Sequence, residues 1–247
     1  MSEHPQYPSP VVIEAICDIV FRTPEWNPDV VGKYYTSVSE KFPIIEASPL
    51  PSMTMVLHIG QPDSPPPPTP MLYRYKSTDS SKLIQLTQER LVINLLGNYA
   101  GWENFKKEIQ YALSNLSPLL PGAEIRRIGL RYVNRFERNG EEALSNWLKP
   151  TAYIPQSVLT SQTKFFSQIQ VRPSEHSWVN IVITTSDPPQ SPAPSFIFDI
   201  DCAVEQTALL DVTEIINETE TLHESVWNIF SEAKTERLER LLKGEKP

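Results

Sequence analysis

Only 8 glycines occur among the 247 residues, and none falls in a G-x-G-x-x-G or G-x-x-x-x-G-K pattern. The backbone cradle in which nucleotide phosphates rest is therefore missing. Cysteine is scarcer still: the 2 thiols, Cys17 and Cys202, have neither a C-x-x-C partner nor a neighbouring histidine, and each sits in an apolar strand pattern where free cysteine behaves as a small buried hydrophobe. The 4 histidines, His4, His58, His176 and His223, form no H-x-x-x-H or H-x-E pair. A zinc site would need residues remote in sequence to meet. G-x-S-x-G is absent as well, so no nucleophile lies beside a candidate base. No run of ~18 apolar residues exists, and Met1 to Pro10 is polar and proline-rich rather than basic and then apolar. These absences predict no catalytic residue, no metal, no cofactor, no membrane partner and a cytoplasmic location.

What remains is an ordinary folded composition. Hydrophobic residues make up 40% and charged residues 21% of a 28.1 kDa chain, and a chain of this size buries about 70 to 75% of its unfolded surface. The net charge of -8 excludes a protein that coats nucleic acid nonspecifically, although a local basic face survives an acidic total.

That local face is found in Glu124 to Glu137, E-I-R-R-I-G-L-R-Y-V-N-R-F-E. Side chains alternate across a strand, so Ile128, Leu130, Tyr132 and Phe136 share one side and Arg127, Arg131 and Arg135 the other. Val11 to Arg22 alternates in the same way, with Ile13, Ala15, Cys17, Ile19 and Phe21 opposite Glu14, Asp18 and Arg22. In Ser195 to Val204, Phe196, Phe198, Ile200, Cys202 and Val204 oppose Asp199 and Asp201. Arg127, Arg131, Arg135, Glu14, Asp18, Asp199 and Asp201 are the ligand-binding candidates. They form either a lattice of cross-strand ion pairs or an arginine fork that recognises an anion.

The chain in order predicts an arm over residues 1–10, the first strand, and a helix begun by Asn27-Pro28 with Val31, Tyr34, Val38 and Phe42 on one stripe. Strands follow at Met53 to Ile59, Met71 to Lys76 and within Lys82 to Leu96, with a proline loop over Pro62 to Pro70. Trp102, Phe105, Ile109, Leu113 and Leu116 mark an amphipathic helix. After Pro121-Gly122 come the arginine strand, a short helix over Glu141 to Leu148, a hairpin of Phe165 to Val171 with Trp178 to Thr185, a second proline loop and the Ser195 strand. The last helix is expected to open at Thr221, with Glu224 completing a capping box, and to run through Leu241.

Both halves thus read strand, helix, strands, helix. The expected fold is α+β, with residues 11–120 and 121–247 as duplicated units packed as one domain: a large curved antiparallel sheet with two long helices on one side, similar to the arrangement in TATA-box binding proteins. The combination of P-V-V-I-E-A-I-C-D-I-V-F, I-G-L-R-Y-V-N-R-F, F-I-F-D-I-D and L-H-E-S-V-W-N-I-F resembles, over essentially the whole chain, a family of sporadically distributed bacterial and archaeal proteins of uncharacterised function. The resemblance implies patchy inheritance of the kind seen in mobile or defence-associated genes, and supplies no site residues. The expected role is a non-enzymatic binding or protein-interaction component with an unknown protein partner. The alternatives are an enzyme, or an anion- or nucleic-acid-binding protein that uses the charged concave sheet face.

Overall fold

The computed structural model describes residues 4–50, 70–137, 142–160, 164–186 and 195–245. Nine strands form one antiparallel sheet: β1 (Val12–Arg22), β2 (Ile44–Pro49), β3 (Met71–Lys76), β4 (Lys82–Leu86), β5 (Arg90–Leu96), β6 (Glu124–Glu137), β7 (Phe166–Val171), β8 (Ser177–Ser186) and β9 (Ser195–Leu209). Their order is β2-β3-β4-β5-β1-β6-β9-β8-β7. The two strands with the clearest alternation, β1 and β6, lie side by side near the centre, Cys17 opposite Leu130 and Asp18 opposite Gly129. Central position follows from composition, since a strand with neighbours on both edges and helices on one face buries every second residue: Ala15, Cys17, Ile19 and Phe21 on β1, Ile128, Leu130 and Phe136 on β6. Asn134 interrupts the β6 pattern. Although it points to the apolar side, its amide donates to the Phe198 carbonyl at 3.0 Å, which makes its burial tolerable.

The helices cover that apolar face. They are α1 (Asp29–Val38), α2 (Trp102–Leu116), α3 (Gln156–Leu159), α4 (Val212–Ala233) and α5 (Glu236–Leu242). On α2 the buried stripe is Phe105, Ile109, Ala112, Leu113 and Leu116; on α4 it is Ile215, Leu222, Val226, Ile229, Phe230 and Ala233, with Thr219 and His223 buried beside it. α4 packs on β6 and β9, α2 on β5 and on α4, and Lys106 of α2 bridges to Glu220 of α4 at 2.6 Å. α1 docks on α2 through the Tyr34 hydroxyl, which donates to the Ala112 carbonyl at 3.1 Å. Each large side chain so buried contributes about 1.5–3 kcal/mol.

Several local expectations differ from the structure. The α1 stripe is Val30, Tyr34 and Val38, with Val31 only half-buried; Asn27 does accept the Asp29 backbone N–H at 2.9 Å, as an entry cap should. β2 is a strand that the alternation did not mark, because at the sheet edge nearly all of it is exposed. Glu141 to Leu148 was expected to be a helix; its described part holds only a single 3-10 turn, Leu144–Asn146. Met53 to Ile59, residues 62–69 of the first proline loop, and the second proline loop lie outside the described residues. Thr221 does not cap the last helix. The start lies upstream at Asp211, whose side chain accepts from the Glu214 N–H, and Thr221 sits inside the helix with its hydroxyl on the Asn217 carbonyl. The helix also stops earlier than expected: Lys234 is extended, and Thr235 caps a separate α5 by accepting from Leu238 N–H. The break is satisfied from outside, because Lys149 N–H donates to the Ala233 carbonyl and Thr235 N–H to that of Trp147.

Candidate functional site

All seven sequence-selected candidates lie on the sheet face away from the helices, and the structure joins most of them to one another. Asp18 is the hub. Its carboxylate takes Arg90 Nε at 2.5 Å and Arg90 Nη2 at 3.0 Å, and it also accepts Arg127 Nη1. Arg127 reaches it by folding back over Gly129, which sits directly across from Asp18; a Cβ at residue 129 would stand 3.0 Å from both terminal guanidinium nitrogens. Glycine suits that position because the guanidinium passes close over it, and a larger residue would push the Arg127 tip aside. Arg131 grips Asp199 in a two-pronged pair, Nε to Oδ1 at 2.8 Å and Nη2 to Oδ2 at 2.5 Å. Arg135 turns instead to the Ser195 hydroxyl at 3.1 Å, and Glu14 accepts from Asn94 at 2.8 Å. In the Arg131–Asp199 pair the acid lies beneath: side-chain exposure is 7% for Asp199 and 45% for Arg131.

Asp201 is the least compensated member. Arg127 Nη2 stands 3.8 Å away, and burial raises the carboxyl above its ordinary range, partly offset by Arg127 and Arg131 and reinforced by Asp199 and Asp18. Asp18, Asp201, Arg90, Arg127 and Arg131 border a hollow of about 290 Å³. The Arg127 Nε is buried without a hydrogen-bond acceptor among the described residues, and its guanidinium carbon lies 5.0 Å from the Trp178 ring centre. Three arginines engaged by buried carboxylates make this face a mostly self-neutralised lattice.

A larger cavity lies on the helix side, and its residues were not among the candidates. It measures about 1280 Å³ and is enclosed by the N-terminal arm, the start of α2 and one side of α4. Six aromatic side chains, Tyr7, Tyr99, Trp102, Tyr132, Trp227 and Phe230, line it together with polar groups from the arm, α2 and α4. The arm is held in place along its length. Gln6 donates to the Ala100 carbonyl at 3.1 Å, Tyr7 to Glu239 at 2.9 Å, and Ser9 N–H to the Leu242 carbonyl at 3.2 Å, while Lys234 donates to the Tyr7 hydroxyl at 2.7 Å. Gly101, at φ 93°, occupies the left-handed region that a side chain would strain, turning the chain into α2 so that Trp102 faces the cavity.

Two histidines from opposite ends of the chain meet there. His223 stacks on Trp102 with ring centres 4.3 Å apart and planes within 6°; His4 stacks on Trp227 at 4.5 Å and bonds through Nε2 to Glu224 Oε1 at 2.7 Å. His223 is only 7% exposed. Burial, with the neighbouring His4 adding to it, pushes its imidazole down to about 4, so the ring is neutral at pH 7. Among the described residues none forms a hydrogen bond with that ring, and its nitrogens are not among the buried unpartnered atoms, so they open onto the cavity. The Tyr99 and Tyr132 hydroxyls share a hydrogen bond of 3.0 Å, and burial holds both phenols above their usual range.

Sequence spacing held one trace of this site: His223 and Trp227 are four apart on α4, one turn, beside the apolar stripe. His4 and Tyr7 in a proline-rich arm carried no periodic signal. No helix among the described residues is long and apolar enough to cross a membrane. No protein-family model matches the chain, and no curated protein or solved structure matches it.

Proposed function

We propose that this chain is a non-enzymatic binding component whose site is the aromatic cavity between the arm, α2 and α4, and whose ligand is a small organic molecule with a flat apolar body and a polar group directed at His223. The observation that carries this is the cavity itself: about 1280 Å³, lined by six aromatic side chains, with the His223 imidazole facing into it and hydrogen-bonded to no other described residue. Concave, mostly apolar spaces with a few placed polar groups are where small molecules bind. The charged sheet face, by contrast, has Arg90, Arg127 and Arg131 engaged by its own acids.

A cytoplasmic setting belongs to the same proposal, since two buried free thiols suit a reducing compartment. So does duplication of an ancestral unit in the manner of TATA-box binding proteins. It is supported by the way β1 and β6 lie together, each flanked outward by three strands of its own half in reverse chain order, β5, β4 and β3 on one side and β9, β8 and β7 on the other, with β2 an additional edge strand of the first half.

The test is a panel of indoles, naphthyl amines and flat heteroaromatics, screened with chelator present by thermal shift and by fluorescence of the cavity tryptophans. A ligand at 100-fold its Kd adds ~2.7 kcal/mol, which in a chain of this size raises the midpoint by about 5–10 °C. Thr221→Trp, at an exposed position on the cavity rim, should abolish the shift without unfolding the protein. If no panel member binds, the reading fails. Binding that survives Thr221→Trp and is lost in Arg131→Ala would move the site to the charged face.

A further inference from the structure

We propose that His4, His223 and Glu224 form a binding site for a divalent transition-metal ion, zinc by the chemistry of its donors, with one coordination position left open towards the cavity. One ligand atom from each of the three residues lies within 4.8 Å of the others. Zinc bonds of ~2.0–2.2 Å in a tetrahedron place donor atoms ~3.3 Å apart. The His4–Glu224 pair, now at 2.7 Å, must open by about 0.6 Å, and the widest separation in the trio, at most 4.8 Å, must close by up to about 1.5 Å to reach that spacing. Side-chain rotation of His4 and of the partly exposed Glu224 towards the stacked His223 ring supplies the movement.

The rings are already presented for this. His223 is oriented by its stack on Trp102 and His4 by its stack on Trp227, the kind of support that fixes a metal-binding imidazole. Two imidazoles and one carboxylate are the donor set of open zinc sites that keep a fourth position for water or substrate. Calcium and magnesium prefer shells built of oxygen, which this trio does not supply. The free imidazole edge gives the argument its second footing: His223 is buried, lines the cavity, and bonds to no other described residue. Its nearest ionisable neighbours are His4 and Glu224, with Glu103 and Lys106 contributed by α2.

This site lies on the wall of the proposed ligand cavity but does not depend on an organic ligand, so the two can fail separately. The test uses the full chain, tag-free and stripped with chelator, titrated calorimetrically with zinc chloride alone and, in parallel, with cobalt(II) followed by visible absorption. One equivalent should bind, and cobalt should show the intense bands of a four-coordinate site. Loss of an outer-shell partner already costs ~10–100-fold in affinity, so His4→Ala and His223→Ala should each weaken zinc by about 100-fold or more, and Glu224→Gln should weaken it as well. Circular dichroism in chelator shows whether the variants fold. If His223→Ala does not, His4→Ala and Glu224→Gln decide the matter. Absence of stoichiometric binding, or undiminished binding in the variants that fold, overturns the proposal.

Discussion

Arg131→Ala separates an ion-pair lattice from a ligand fork, because Asp199 beneath it is nearly inaccessible and takes two hydrogen bonds from that guanidinium alone. Breaking a fully buried pair costs ~3–5 kcal/mol by stranding the remaining charge, while an exposed pair contributes ~0.2–1 kcal/mol. Arg131 is close to half-exposed. Water therefore reaches Asp199 once the arginine is gone, and the expected loss is about 1–2 kcal/mol. In a chain of this length that lowers the midpoint by roughly 2–8 °C. Urea denaturation followed by fluorescence measures it, and a cycle with Asp199→Asn isolates the pair: the double variant should lose less than the sum of the single losses by ~0.5 kcal/mol or more. An unchanged midpoint, or strict additivity, would refute the lattice.

Asp201 should behave in the opposite way. Its carboxyl is raised in the folded state, so the stability it contributes is present below the ordinary carboxylate pKa of ~3.9 and is lost as pH rises through the folded value; above that, the ionised group is a net cost. Asp201→Asn should thus match the parent in strong acid and be at least as stable at pH 7, and clear destabilisation at pH 7 in denaturant titrations would count against this. Cys17 and Cys202 are both buried, and burial raises both thiols, Cys202 to about 12. Neither should react with a thiol reagent until the protein is unfolded, and rapid labelling of the native chain would contradict that placement.

Much of the fold is legible along single elements. Period-two alternation in β1, β6 and β9 predicted which side of each strand is buried except at strand ends, where Ile13 is exposed and Val204 half-buried, and the Trp102 to Leu116 stripe predicted the covering helix. The start of α4 was misplaced because Thr221 with Glu224 matches a capping box inside the helix; the chain begins it at Asp211, whose side chain accepts from Glu214 N–H, and Ile215, upstream of Thr221, is already buried. β2 was missed because an exposed edge strand has no buried side to alternate against.

The charged face was legible as a set of residues but not as a set of pairs. Alternation placed Asp18 and Arg127 on one face; only the register of β1 against β6, with Gly129 opposite Asp18, let Arg127 lie across the strand and close the pair. The cavity lay further still from sequence view. A periodic pattern reports how one element meets its neighbours, whereas His4 and Glu224 come together through the docking of an arm onto a helix, 220 positions away in the chain. Sequence by itself determined the central strands, the principal helices and their buried sides, because burial repeats with the geometry of each element. The tertiary structure alone decided which charges neutralise one another and where two distant histidines meet, because those contacts depend on packing between elements and leave no spacing to read.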